Sequence, residues 1–406
     1  MTQVSGPINL IRMEGDINGI HKVFYLFMDI HVDSHNQTEC MDARSVHIKN
    51  YLVNIFDQLK NTNKTVDFFL ETFPDASTNI LPYTDIYIIQ LRTMFELIFK
   101  FNFKENKVVK SKEFPNVRMH YIDIRPFLTF TVGNPFSIAW SIGNHIYSLE
   151  GKFVFQKDII DIKNGLNMLN SQLLVLFNAI FKEQNKIKKV NIIRQYPPAT
   201  VNYEEEEGTK IITYLMNKIK NDYNHKNVKN GINQILDNKI KKLYDEYVDV
   251  NNKFLTYLDE AIKKINFGFR DKIKYREHFD YFGYQNNNIS REIFTGLQKH
   301  TDILENIVND INLLVMDLYF LRRTLDKDYV TNSVVYTGAR HSAHYIGLLA
   351  KYFDFKITHV HYADNNINDL NNKIKQLDTA KDILDLFIPP KLYQCIDVSN
   401  FPKNFS

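Results

Sequence analysis

The run Val23-Phe24-Tyr25-Leu26-Phe27-Met28-Asp29-Ile30-His31-Val32-Asp33 is apolar at its start and polar at every second position at its end. A strand projects alternate side chains to one face, so Asp29, His31 and Asp33 are expected to emerge together where a buried strand meets its loop. From Asp42 to Lys60 the apolar residues Val46, Tyr51, Leu52, Ile55, Phe56 and Leu59 fall near helical spacing, with Asp42 as the cap. Thr65 to Leu70 is short, β-branched and aromatic, and ends at Glu71 ahead of the break at Pro74. Strand, helix and strand make a βαβ unit, which is parallel and right-handed. A second helix is predicted over Tyr83 to Phe101, and a third strand over Val117 to Ile124, followed by Arg125-Pro126.

The middle of the chain changes character. From Asp158 to Lys182, and from Glu204 to Leu325, the pattern is helical, with interruptions expected near Gly268 and from Gly283 to Asn288. The acidic run Glu204 to Glu207 suits a helix N-terminus, where negative side chains meet the positive end of the helix dipole. Strand character returns at Ser333 to Thr337, followed by Gly338-Ala339-Arg340-His341, a helix from Ala343 to Phe353 and a strand from Phe355 to Val360. The predicted fold is α/β: a mainly parallel sheet with flanking helices, interrupted by a large helical insertion. Residues 1–150 and 331–406 would form the two parts of the α/β core and residues 151–330 the helical subdomain.

Composition narrows the function. Hydrophobic residues make up 44% and aromatics 13% of the 406 residues, enough for a sizeable core. Fifty Lys+Arg against 47 Asp+Glu, with no basic block, argue against nucleic acid as the main partner. No apolar segment reads as a signal peptide or membrane span, so a cytoplasmic protein with no membrane partner is expected. Cys40 and Cys395 are too few for a disulfide framework or a zinc site, and a reducing compartment is expected. The abundance of Asn, Ile and Lys resembles uncharacterised proteins of large DNA viruses or protists.

Four strand ends carry polar candidates: Asp29, His31 and Asp33; Glu71; Asp123 and Arg125; His341 with His344. In open parallel sheets ligands bind outside the carboxyl ends of the strands, so these groups are expected to converge. Taken singly, each also suits a helix cap or a bond to a loop amide. Imidazole with carboxylate suits a hydrolytic divalent ion, and Arg125 or Arg340 would stand ready for an oxyanion.

The order of these motifs resembles the superfamily of Tiki metalloproteases, TraB-type proteins, erythromycin esterases and haem-uptake ChaN-like proteins. Its Gly-Glu-x-His motif falls on Met28-Asp29-Ile30-His31, its second-strand Glu on Glu71, and its Gly-x-x-His on Gly338-Ala339-Arg340-His341. Asp123-Ile124-Arg125 is similar to the Asp-x-Arg of esterase-like members. Met28 departs from the motif's Gly, and Asp29 is one methylene shorter than its Glu. The resemblance implies hydrolysis of an ester or amide bond in a small-molecule or peptide substrate. It implies His31, Glu71, His341 and Arg125 as catalytic residues, and Asp29, His31, Glu71 and His341 as ligands of a divalent metal.

Other readings remain open. Asp29-x-His31 also resembles the first motif of calcineurin-like metallophosphatases, with Gly143-Asn144-His145 and His359-x-His361 as later pieces, although Gly-Asp-x-x-Asp is absent. Asp29-x-His31-x-Asp33 resembles arginase-type dimetal sites without their partner aspartates. Cys40 as a nucleophile is weighed against simple packing. No Gly-rich phosphate loop is present. The alternative of a different class is a catalytically inactive binding or structural protein of a large DNA virus, since fold does not dictate function.

Overall fold

The computed structural model describes residues 3–32, 34–74, 85–102, 105, 107–125, 135–181, 205–272 and 279–405. Asp33 and Glu204, two residues singled out above, lie outside them. The strands are β1 (Gln3–Ser5), β2 (Asn9–Ile17), β3 (Ile20–Asp29), β4 (Val46–His47), β5 (Val66–Leu70), β6 (Phe101–Asn102), β7 (Lys107–Val108), β8 (Val117–Tyr121), β9 (Asn332–Gly338), β10 (Lys356–Val360) and β11 (Cys395–Asp397). The helices are α1 (Ile48–Gln58), α2 (Ile86–Ile98), α3 (Pro135–Tyr147), α4 (Gln156–Phe181), α5 (Glu205–Asn221), α6 (Lys226–Ile235), α7 (Lys241–Lys272), α8 (Phe279–Leu325), α9 (Ala339–Tyr352), α10 (Ile367–Gln376) and α11 (Ala380–Asp385).

Six strands form the main sheet in the order β10-β2-β3-β9-β5-β8. Pairing is parallel from β3 through β9 and β5 to β8, and antiparallel between β2 and β3 and between β10 and β2. The sheet is therefore mixed. Its antiparallel part comes from a hairpin that the expected βαβ order omits. Asn18 and Gly19 both take positive φ, 52° and 79°, as a tight two-residue turn between right-twisted strands requires.

The strands of the sheet centre are apolar on both sides, and the sheet is covered on both faces. Phe24, Leu26, Met28, Phe69 and Val335 belong to one apolar cluster with α3, α4, α6, α8 and α9. Tyr25, Phe27, Phe68, Val334 and Tyr336 belong to the other, with α1 and α2. The helical middle shares the first cluster with the sheet. Phe320 of α8 meets Phe24 at 6.1 Å, Phe69 at 5.3 Å and Tyr345 of α9 at 4.1 Å between ring centroids. The interruption expected from Gly283 to Asn288 does not occur, since those residues lie within α8; near Gly268, α7 runs to Lys272, and residues 273–278 lie outside the described residues.

Two local expectations are corrected. The first helix begins at Ile48, because Val46 and His47 pair with β1; His47 caps it by accepting from Lys49 N–H, while Asp42 binds Arg44. Cys40 and Cys395 are joined as a disulfide beside the small sheet β11-β1-β4, which is at odds with the reduced thiols expected of a reducing compartment. Among the described residues no helix is long and apolar enough to cross a membrane.

Candidate functional site

Because β3, β9, β5 and β8 run parallel, their carboxyl ends open on one edge. There Glu71 is the hub. Its Oε2 accepts the backbone N–H of Gly338 at 2.7 Å, and its Oε1 accepts from Arg125 Nη2 at 2.8 Å. His31 Nε2 stands 3.6 Å from Oε2, and His341 Nε2 stands 3.6 Å from Oε1. Arg125 is held in turn by Asp123, with Nε at 2.8 Å and Nη2 at 2.9 Å from its two oxygens. The edge thus brings together His31, Glu71, His341, Asp123 and Arg125.

Gly338 explains itself at this point. A Cβ there would lie 3.0 Å from His31 Nε2 and 3.4 Å from Glu71 Oε2. A side chain would press on the groups that meet here, and glycine leaves the backbone N–H free to approach Glu71.

Each imidazole has a second carboxylate behind it. His341 Nδ1 is 2.6 Å from Asp317 Oδ1, and His344 Nδ1 is 2.6 Å from the other oxygen of the same carboxylate. His31 Nδ1 is 3.3 Å from Asp85 Oδ2 and 3.6 Å from Asp29 Oδ2. Asp85 is also the N-cap of α2, accepting from Tyr87 N–H through Oδ1, so one of its oxygens serves the helix and the other faces His31.

These pairings set the charge states. Burial alone would raise the Glu71 pKa, but His341, His31 and Arg125 hold it well below the usual carboxylate range. Burial would lower both imidazoles, yet the surrounding carboxylates outweigh it. His31 is raised well above its ordinary value, and His341 is raised by Asp317 and Glu71. Burial pushes the Asp29 carboxyl up to about 6.

Several atoms here lack what buried polar atoms normally have. Asp29 Oδ1 and Oδ2 and His341 Nε2 are buried with no hydrogen bond of normal length among the described residues, and the buried hydroxyls of Tyr336 and Tyr345 face Asp29 and Asp317. Buried polar groups are almost always paired, which sets these atoms apart among the described residues of the core. Asp29, His31 and Asp85 each offer a ligand atom within 4.8 Å of the others. Two ligands of a tetrahedral zinc, each about 2.0–2.2 Å from the ion, lie roughly 3.4 Å apart, so the 3.3 and 3.6 Å spacings around His31 suit a metal of this kind. The His31 side chain is 41% exposed, leaving room for a further ligand from solvent.

The whole chain, residues 2–406, matches the family of unknown function DUF5847. It belongs to that family. Three uncharacterised proteins of Acanthamoeba polyphaga mimivirus are similar to it from end to end. One is 31% identical over 100% of this chain and 98% of its own length. The second and third are each 32% identical, covering 99% of this chain and 96% and 97% of theirs. No solved structure matches.

Other candidates of the sequence are not bonded into this cluster among the described residues. Arg340 pairs with Asp310 at 2.5 Å. His145 sits in α3, 3.9 Å from Asp158, and His361 Nδ1 accepts from Asp397 N–H. Neither histidine is joined to Asp29 or His31 by a hydrogen bond or ion pair among the described residues. Asp85 and Asp317 were missed. Asp85 falls inside the helix predicted from Tyr83, and reading it as an N-cap would have brought it forward. Asp317 stands in Leu313-Leu314-Val315-Met316-Asp317-Leu318-Tyr319-Phe320-Leu321, where a lone acid in an apolar run signals a buried, paired carboxylate.

Proposed function

We propose that this chain is a hydrolase of ester or amide bonds whose reaction centre is the cluster around Glu71. The observation that carries the reading is His341. Its Nδ1 is occupied by Asp317, while its buried Nε2, without a hydrogen bond among the described residues, faces the Glu71 carboxylate across 3.6 Å. This is the arrangement a general base needs: one nitrogen fixes the tautomer and the ring's direction, and the other keeps a lone pair for a proton. A water held between Nε2 and Glu71 would give its proton to Nε2, and Asp317 would stabilise the imidazolium that forms. Arg125 is anchored by Asp123 and Glu71 through Nε and Nη2, so that among the described residues Nη1 is open to charge developing on a substrate carbonyl oxygen.

The resemblance to Tiki-like hydrolases implies a divalent metal, and Asp29, His31 and Asp85 fit one by donor type and spacing. When bound there, such an ion would polarise a carbonyl and lower the pKa of an attached water. Glu71, counted among the ligands by resemblance, already accepts two hydrogen bonds and serves better as the anion that orients both imidazoles.

One observation favours a second reading, a viral binding or structural component without turnover: both Glu71 oxygens are already engaged, by Gly338 and Arg125. Elemental analysis of the purified chain, with a panel of chromogenic esters and amides, separates the two. The hydrolase reading expects turnover that is lost in His341→Ala, and bound metal that is lost in Asp29→Ala. Metal-free protein that hydrolyses nothing on the panel, with the variants unchanged from it, would overturn the reading.

A further inference from the structure

On the outer side of the same sheet, a cavity of about 570 Å³ runs along β8, and all of Val117 to Tyr121 line it. Its charge is one-sided. Arg323, Lys218, Lys110 and Arg118 reach it, whereas its acid Asp123 is committed to Arg125.

Its wall carries a hydrogen-bonded chain from Arg118 through the buried Asp67 and His120 to Arg323. Asp67 is fully buried. It accepts from Arg118 Nε at 2.8 Å and Nη2 at 2.6 Å, and its Oδ1 lies 2.7 Å from His120 Nε2. The His120 ring is clamped on Phe69, with centroids 4.4 Å apart, so its two nitrogens have fixed directions. With Nε2–H donating to Asp67, Nδ1 presents its lone pair to Arg323, whose Nε and Nη2 stand 3.2 and 3.1 Å away. A ring that donates at one nitrogen and accepts at the other is neutral. Burial and the nearby guanidiniums lower its pKa in the same sense.

The charges of this chain do not cancel. Two guanidiniums, one carboxylate and a neutral ring leave one positive charge, and it resides on Arg323. Among the described residues Arg323 has no carboxylate partner. Of the five N–H donors of a guanidinium, the two facing His120 are taken, so three remain on the Nη1/Nη2 end, the geometry that grips an oxyanion by two parallel bonds. Lys218, half-buried with its ammonium 5.3 Å over the Tyr214 ring, has no acidic partner among the described residues either. Arg323 also sits in the last turn of α8, where a cation suits the helix dipole, but that role needs neither a clamped neutral histidine nor a cavity.

We propose that this cavity binds a small organic anion whose phosphate or carboxylate group is held by Arg323 with Lys218 beside it. Its volume is that of a small-molecule site, and Tyr319 and Phe99 on its wall suit an apolar or aromatic body attached to the anionic group. The inference stands apart from the hydrolase reading, because it concerns binding and needs no turnover.

Calorimetric titration of the full chain at low ionic strength, with inorganic phosphate and with malonate as probes, tests it. Saturable binding of either probe, weakened about tenfold or more in Arg323→Gln and severalfold in Lys218→Gln, is the expected result. Phosphate alone would identify a phosphoryl ligand, and malonate alone a carboxylate. His31→Ala should bind as the wild type does, which separates this cavity from the Glu71 cluster. Absence of saturable binding of both probes, or equal affinity in Arg323→Gln, would overturn the inference. Should Arg323→Gln not fold, Lys218→Gln decides, and unchanged affinity there overturns it as well.

Discussion

Asp317, in the second half of α8, holds His341 by Nδ1 at 2.6 Å and directs the opposite ring nitrogen at Glu71. The same carboxylate takes His344 at 2.6 Å. Burial would raise the Asp317 pKa, but the two histidines bring it below the ordinary carboxylate value. An asparagine at this position has one acceptor and one donor, so it cannot accept from both rings. In Asp317→Asn, kcat/KM for any substrate found is expected to fall by about 100-fold or more, with the limb of its pH profile displaced. A purely structural role would lower the melting temperature and leave the profile where it was.

Gly338→Ala tests the closeness of the hub. The added methyl would crowd His31 Nε2 and Glu71 Oε2 while the backbone, at φ −53°, accepts alanine without strain. Activity and metal content are expected to drop sharply with a stability change of only about 1 kcal/mol. Unfolding in place of inactivation would show that the glycine serves packing alone.

Asp67 supplies a pH prediction away from the candidate site. Burial acts to raise its pKa, but Arg118 and His120 bring it below the ordinary 3.8. A folded-state pKa below the unfolded one means stability that is fully present above about pH 4 and lost as pH falls through the folded value. In Asp67→Asn the melting temperature should fall at neutral pH and lose less on further acidification than the wild type does. Parallel acid limbs in the two proteins would contradict this.

The disulfide Cys40–Cys395 closes a separation of 355 residues. Under denaturing conditions, reduction should lower unfolding stability by about 2–4 kcal/mol. Cys395→Ser should match the reduced protein and no longer respond to dithiothreitol. Equal stability of oxidised and reduced protein would show that the cross-link constrains nothing.

Strand ends were legible because the signal is local: β3, β5 and β9 have apolar centres that stop at or next to Asp29, Glu71 and Gly338, β8 alternates apolar with polar residues shortly before Asp123, and parallel pairing does the rest. The hairpin was legible as well though not assigned: Arg12, Glu14 and Asp16 alternate with Ile11, Met13 and Ile17 as a strand requires, and Asn18-Gly19 names the turn. The bonds of Arg12 to Glu14 and Thr358 lie on the polar face that this alternation defines. Asp85 and Asp317 lie on helices that meet the site only through tertiary packing, so no spacing within the chain announces their partners. The Cys40–Cys395 link escaped for the same reason, since two half-cystines at opposite ends of a chain have no sequence signature.

The central position of β9, between β3 and β5, has a consequence for synthesis. Both neighbours leave the ribosome before the helical middle, and the strand that joins them only after it. Until residue 338 has emerged, β3 and β5 each present an unpaired, strongly apolar flank, and the hub Glu71 lacks the amide of Gly338. The nascent chain therefore carries two apolar strand flanks uncovered while the helical middle is made, and flanks of that kind invite pairing with other chains.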